Sequence, residues 1–323
     1  MFTPLQQAKT AALTCLAALA ISISATANAS LLDGLTLIVH DNVSVQNKLD
    51  VHGRMAIGGN YSGTNATQLA VDLPSQPGSV TVRIGGNVTT QNQGNIHVKS
   101  GSVIFGGTVN PANAFDLQDA GATATQQAFD ITPIWNEVTA LSASLANLTT
   151  NSTFQILSGN QAWFEVGNSL GPDNTAVFSI TDTQLFENNA IAQIDVDGIN
   201  DADHIVINVT STDGTVNWDF GNMVGSLANE NNSAKIIWNF IDATTINFGS
   251  RGFYGGLLAP LASLEGGQNN LYNGAAVFNF DYEGEVYGTL DSPPVTTVPA
   301  PAALPAGLLI LSAAALRRRT SRA

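Results

Sequence analysis

The sequence predicts a mainly β protein: a β-solenoid of stacked coils with one long amphipathic helix packed on its flank. Three observations carry this. A Gly-Gly pair repeatedly closes a short apolar segment, in Met55-Ala56-Ile57-Gly58-Gly59-Asn60, Val82-Arg83-Ile84-Gly85-Gly86-Asn87 and Val103-Ile104-Phe105-Gly106-Gly107-Thr108. Aligned on those pairs, Met55/Ile57, Val82/Ile84 and Val103/Phe105 share one parity, which strand alternation sends to one face, while Arg54 and Arg83 take the other. Further on, Ile134, Val138, Leu141, Leu145 and Leu148 step by 4, 3, 4 and 3, the stripe of an amphipathic helix. The recurrence of the pair, from Gly58 to Gly85 and on to Gly106, suits stacked coils with glycine at each corner. The second interval is shorter than the first, which keeps a sandwich with Gly-rich turns as the rival.

Composition narrows the function. The 323 residues carry 11 bases and 25 acids, a formal charge of −14, and only 11% of residues are charged. So acidic a chain is a poor match for nucleic acid, whose phosphates are bound by Lys and Arg. The single cysteine, Cys15, leaves no room for an internal disulfide or a multi-cysteine zinc site.

At the N-terminus, Lys9 precedes an apolar run from Ala11 to about Ile23, and Ala27-Asn28-Ala29 supplies a small-x-small cleavage pattern. Residues 1–29 are therefore expected to be a signal peptide cut after Ala29. Cys15 falls inside it, so the mature chain would lack cysteine. Residues 30–292 show no proline-rich linker and are expected to form one body with a helical insertion at about 115–149. Within it, Phe115 to Phe129 is expected to be a preceding helical segment. Asp130 or Thr132 can cap the main helix and Pro133 suits its first turn. A second run of coils is expected from Ile236-Ile237-Trp238-Asn239-Phe240 through Thr245-Ile246-Asn247-Phe248-Gly249, Phe253 to Leu258 and Gly274 to Phe278, with Glu285-Val286-Tyr287-Gly288 closing the body.

Parts of this body resemble a known family. Leu49-Asp50-Val51-His52-Gly53-Arg54-Met55-Ala56-Ile57-Gly58-Gly59-Asn60 resembles the signature of the choice-of-anchor A family, with His52 where an acidic residue is usual. Ile237-Trp238-Asn239-Phe240-Ile241-Asp242-Ala243-Thr244-Thr245 and Gly255-Gly256-Leu257-Leu258-Ala259-Pro260 are similar to two later blocks of the same family. The resemblance implies an extracellular, non-enzymatic, adhesin-like body, some of whose relatives are described as collagen-binding-like. The last coils also look somewhat like ice-binding adhesin domains, which are β-solenoids with a flanking helix.

The C-terminus has an expected linker and sorting motif at 293–302, then an apolar segment and basic tail at 303–323. Val298-Pro299-Ala300-Pro301-Ala302, the apolar stretch and Arg317-Arg318-Arg319 resemble a PEP-CTERM sorting signal in its VPxPA form. That resemblance implies an exosortase-type transpeptidase as partner, a transient inner-membrane association, and delivery to the cell surface or matrix of a Gram-negative-type bacterium. The apolar stretch, Ala303 to Leu316, falls short of the roughly 20 residues that span a bilayer. Removing both ends takes five of the 11 bases and leaves a body with six bases and 25 acids.

No catalytic set stands out: there is no G-x-S-x-G and no H-E-x-x-H, and His40, His52, His97 and His204 stand singly. The alternatives to a binding protein are a polysaccharide-lyase-like solenoid enzyme using Arg54 and Arg83, or an ice-binding-like surface. The more ordinary reading of Arg54 and Arg83 is an outward pair salt-bridged to neighbouring acids. Asp195, Asp197, Asp201 and Asp203 form the densest acidic run, a candidate loop for weak Ca²⁺ binding through oxygen ligands, or otherwise a solvated turn. No other cofactor is expected. Asn60, Asn65, Asn87 and Asn208, each in an Asn-x-Ser/Thr triplet, are expected in side-chain ladders or turns. Phe253, Tyr254, Tyr272, Tyr282 and Tyr287 offer either core stacking or a face for exopolysaccharide or an extracellular protein.

Overall fold

A computed structural model of the protein describes residues 30–64, 66–90 and 95–290. The chain divides into two units, Met1–Ser30 and Leu31–Ala323, and every element below belongs to the second. It is mainly β: a 21-stranded parallel sheet, a smaller four-stranded sheet and few helices.

The large sheet is built from three parallel ladders, because each circuit of the chain lays strands on three faces in turn. On the first face, Leu35–Val39, Arg54–Ile57, Val80–Ile84, Ser102–Phe105 and Ala124–Gln126 stack in chain order. The second face stacks Val43–Ser44, Tyr61–Gly63, Val88–Thr90 and Val109–Asn110. Lys48–Val51, Ala66–Leu69, Ile96–Val98 and Phe115–Leu117 stack on the third. The expected parity holds: Met55, Ile57, Val82, Ile84 and Val103 are fully buried in the interior. The glycine pairs are needed for closeness rather than for a special φ. A Cβ on Gly58 would lie 2.1 Å from the His40 carbonyl, one on Gly85 2.1 Å from the Gly58 carbonyl, and one on Gly106 2.1 Å from the Gly85 carbonyl.

The asparagines after the glycines form the expected ladder. Asn42 Oδ1 accepts from the Asn60 N–H (2.9 Å), Asn60 Oδ1 from the Asn87 N–H (2.9 Å) and Asn87 Oδ1 from the Thr108 N–H (2.8 Å). Corner amides that the strand ladders leave unpaired are thereby satisfied.

A second run stacks Thr175–Thr181, His204–Thr210, Ile236–Phe240 and the opening residues of the long strands Gly256–Tyr272 and Ala275–Tyr287 on the first face, and those two strands run on through the second and third. It begins earlier than the expected Ile236. Its first two circuits, from Ala176 to its partner Ile205 and from Ile205 to its partner Ile236, are longer than any in the first run. Wider circuits need bulkier filling, and there Phe164, Phe178, Phe186, Trp218, Trp238, Phe240, Phe248 and Phe253 pack ring against ring, while the first run is filled mainly by Leu, Val, Ile and Met with Tyr61 among them.

The last strand returns to the first. Leu37, Ile38 and Val39 pair in parallel with Ala275, Ala276 and Val277, the Val43 and Phe280 segments adjoin, and Glu285 meets Asp50. The two runs thus join at a seam between the opposite ends of the body's sequence.

The helix α1, Thr132–Ala146, makes this order possible by carrying the chain along the stack from the first run to the second. Ile131 lies against Gly58 and Leu145 against Asn208, five strand steps away. At a rise of about 1.5 Å per residue, the span from Ile131 to Leu145 covers about 21 Å, close to five steps of about 4.8 Å. Trp135, Val138, Leu141 and Leu145 pack on the outward side chains Ile38, Ala56, Val206, Ile237, Leu258 and Ala276. Asp130 Oδ1 accepts from the Thr132 N–H (2.9 Å), although the N-cap itself is Ile131, which has no side-chain cap.

One expectation is corrected. Phe115 to Phe129 is not helical: Phe115–Leu117 and Ala124–Gln126 are strands that finish the first run. Phe115, Asp116 and Leu117 pair with Ile96, His97 and Val98, and that cross-strand burial outweighs local helix propensity. The insertion shrinks to Thr132–Ala146.

The helix is locked by buried amides. Asn208 Nδ2 donates to the Leu145 carbonyl (2.8 Å), Asn239 Nδ2 donates to the Ser142 carbonyl (3.0 Å) and to Asn208 Oδ1 (2.8 Å), and Ser142 Oγ donates to Asn239 Oδ1 (2.7 Å). Asn239→Ala removes three of these bonds and strands buried acceptors. It is expected to cost about 2–4 kcal/mol, read as a lower urea midpoint, with Ser142→Ala costing less.

Candidate ligand-binding faces

Helix α1 covers the first face from Ala56 to Val206, so ligands can reach the outward side chains of the other two faces and the part of the first beyond Ala56, where Arg83 is partly exposed. On the second face those side chains are small and polar and run in files. Ser44, Ser62, Thr89 and Asn110 are in register across four strands, and Asn217, Asn247, Glu265 and Asp281 make the corresponding file of the second run. Neighbours in a file are spaced by the strand separation, about 4.7–4.9 Å. The half from Ser44 to Asn110 carries no charge.

The third face carries aromatic and ionisable groups. Tyr254 and Tyr272 stack with ring centroids 4.5 Å apart and planes 8° apart, Tyr272 and Tyr287 at 5.2 Å and 10°, and His52 and Tyr287 at 3.9 Å and 25°. Register produces the stack, since Tyr254 pairs Tyr272 and Tyr272 pairs Tyr287. Phe253 and Tyr282, from the same expected cluster, point inward and are buried. Within the stack each ring face is occupied by the next ring, so the inner rungs show only edges to solvent. The Tyr254 end borders a hollow of about 240 Å³ lined by Asn222, Met223, Arg251, Asn269 and Asn270. There a sugar ring can meet an aromatic wall and amides.

Charges flank the stack. Lys48 Nζ lies 2.8 Å from Glu285 and 2.9 Å from Asp50, and His52 Nδ1 lies 2.8 Å from Asp72. His97 Nδ1 is 2.7 Å from Asp116 further along the face. The Lys48 bond, and then the bond from the Tyr287 hydroxyl, hold the Glu285 carboxyl below its usual range, and the Glu285 bond raises the Lys48 ammonium. Burial, then Glu285, pushes the Tyr287 phenol up. The histidines expected to stand singly thus include two with carboxylate partners, a pairing across circuits that spacing in the sequence does not reveal.

Other expected site residues fare differently. Asp195 and Asp197 share one outward parity of the strand Gln193–Asp197, and Asp201 lies in a short 3-10 turn. Asp195 Oδ1 accepts from the Val196 N–H (2.8 Å) and the Leu227 N–H (3.1 Å), and Asp197 Oδ1 accepts from the Gly198 N–H (3.0 Å). The structure does not bring these two together with Asp201 and Asp203: among the described residues no three His, Cys, Asp or Glu side chains gather as a metal site. Arg54 and Arg83 do point outward, but the expected salt bridges to neighbouring acids are absent among the described residues. Ala27, Ala29, Asn65, Val298, Pro299, Ala300, Pro301, Ala302, Arg317, Arg318 and Arg319 lie outside the described residues. Among those described, no helix is long and apolar enough to cross a membrane.

A family of ice-binding-like adhesive domains matches residues 28–287, which takes in both runs, α1 and the seam. The chain belongs to the ice-binding-like adhesive domain family. No curated protein matches it in sequence. Among solved structures it is similar to the ice-binding protein of the Antarctic ascomycete Antarctomyces psychrotrophicus, at 14% identity over 80% of this chain and 96% of that one, with a TM-score of 0.32. It is also similar to a domain of ice-binding protein 1 of Shewanella frigidimarina, at 12% identity over 79% and 93%, TM-score 0.33. An ice-binding protein from an Arctic yeast gives 11% identity over 81% and 92%, TM-score 0.31.

The Glu285 network sets a pH dependence. A depressed carboxyl contributes stability that is present above about 4.5 and fades as pH falls through its folded value. Glu285→Gln is therefore expected to make the loss of stability between pH 6 and pH 3 smaller, by less than about 1 kcal/mol because the group is partly exposed, and so to make the fall in Tm shallower. Thermal melts across that range check it.

Proposed function

We propose that this protein is an exported, non-enzymatic, adhesin-like component of the cell surface or extracellular matrix. The observation that carries the reading is the adhesive-domain family match across the whole body, whose ladders turn two faces of periodic side chains to solvent. The architecture we infer is a β-solenoid with α1 on its flank, supported by the three parallel ladders. The choice-of-anchor A blocks acquire physical roles in it: Gly58-Gly59 allows close stacking, and Trp238-Asn239-Phe240 places two rings in the core with the helix-locking amide between them. Residues 1–29 direct export. Val298 to Ala302 with Arg317, Arg318 and Arg319 form a PEP-CTERM-type signal, processed by an exosortase-type transpeptidase after a transient inner-membrane stage. The ligand is exopolysaccharide or an extracellular protein, met on the exposed faces.

Deleting 299–323 is expected to release the protein from the cell into the medium, measured by fractionation. Retention on the envelope counts against the anchor. A glycan and collagen array tests the adhesive reading, and binding to neither contradicts it.

A second reading, ice or crystal binding, is favoured by the uncharged file Ser44, Ser62, Thr89 and Asn110. Regular small polar groups on a parallel ladder can match an ordered surface. It predicts thermal hysteresis that Ser62→Tyr and Thr89→Tyr abolish without lowering Tm. Hysteresis that survives both substitutions removes this face from consideration.

A further inference from the structure

Between Asp33 and Asp291 the chain has 25 acids and six bases, so each base has many potential partners. Lys48 takes two carboxylates. Lys235 donates to the carbonyl of Ala202, Arg251 to those of Trp218 and Asp219, and Lys99 to the Gln118 amide. Arg54 and Arg83 are instead placed beside each other. Met55 pairs with Val82 and Ala56 with Arg83, so the two arginines are diagonal neighbours of the same outward parity. That diagonal is about 7–8 Å between backbones, within reach for long side chains.

Neither has an acid within 4.0 Å among the described residues. Arg54 Nη2 donates to the neutral Oε1 of Gln76 (2.9 Å). The carboxylate behind that glutamine, Asp119, is already spent on Ser75 Oγ and on the N–H groups of Gln76 and Gly101. Arg83 stands in the file between Ala56 and Ile104, half-buried, with no hydrogen-bond partner among the described residues. Partial desolvation, and then the charge of Arg54, lowers its pKa. Two like charges held together on so acidic a body, with no carboxylate drawn to them, oppose folding unless an anion from outside is their partner.

We propose that Arg54 and Arg83 form a binding site for the carboxylate groups of a uronate-bearing polysaccharide. A guanidinium stays charged at any working pH and meets a carboxylate through two parallel bonds. The site is partly exposed on the outer side of the first ladder. It therefore suits an extended polymer, which gains avidity from repeated units, better than a small free anion. The surrounding acids repel a polyanion elsewhere and confine it to this pair. The assignment rests on the adhesive reading above and names its ligand class.

The test is binding of the full-length protein to polygalacturonate, with methyl-esterified polygalacturonate, dextran sulfate and dextran alongside. Polygalacturonate is expected to bind, and to weaken as salt rises. Arg54→Gln and Arg83→Gln are each expected to weaken it at least tenfold while Tm stays level or rises, because a repulsion has been removed. A fall in Tm with each substitution assigns the arginines a structural role and overturns the proposal. So does unchanged binding by the double variant, equal binding of the esterified polymer, or binding of dextran sulfate alone. Capture of dextran or collagen without polygalacturonate also overturns this site but leaves the adhesive reading standing. Failure to bind any glycan or collagen sinks both.

Discussion

From Ala56 to Val206 the sheet on the first face must bury both of its sides, and the rest of the structure follows from that. One parity fills the interior, and the other presents Ile38, Ala56, Val206, Ile237, Leu258 and Ala276, which would be an apolar strip in water. Each large apolar side chain fully buried contributes about 1.5–3 kcal/mol, so covering the strip is a major stabilising term. Helix α1 covers it, and the Asn208, Asn239 and Ser142 bonds fix how far along it the helix sits. The Asn208 bond adds a second donor to the Leu145 carbonyl in the last helical turn, which also accepts from the Leu148 N–H (3.2 Å).

Covering the strip also sets the order of the chain. Because α1 returns the chain across the stack, the second run grows back toward the first and ends beside Leu35–Val39. Leu290 N–H donates to the Leu35 carbonyl (3.1 Å), and Thr36 Oγ1 donates to the Gly288 carbonyl, closing the seam from the far side. A repeat protein usually contacts only its sequence neighbours. Here the start and end of the body are neighbours, and the free ends of the stack lie in mid-chain.

Much of this was legible because it is local. The Gly-Gly pairs, the parity of Met55, Val82 and Val103, and the stripe from Ile134 to Leu148 each reside in one short segment. What could not be read depends on register between distant segments. Tyr254, Tyr272 and Tyr287 separate from Phe253 and Tyr282 only when the strands are aligned. His52 finds Asp72, and His97 finds Asp116, only across circuits. The long circuits from Ala176 to Ile205 and from Ile205 to Ile236 hid the start of the second run, since no Gly-Gly pair marks them. Phe115 to Phe129 looked helical because nothing local shows that Ile96–Val98 waits beside it. The acidic run from Asp195 to Asp203 was dense in sequence, yet strand and turn geometry turn the carboxylates of Asp195 and Asp197 onto backbone amides. The solvent faces thereby separate by chemistry, with small polar files on the second, a stacked aromatic and ionisable strip on the third, and the Arg54–Arg83 pair where α1 leaves the first uncovered.

Native-state hydrogen exchange tests the central claim, that one body is closed by a seam between its first and last strands. The account predicts that amides of Leu37 to Val39 and Ala275 to Val277 exchange only with global unfolding, together with those of Ile237 to Asn239, while Ala124 to Gln126 at the open end exchange far sooner. A seam that opens well below the global free energy, with the two runs protected independently, would contradict it.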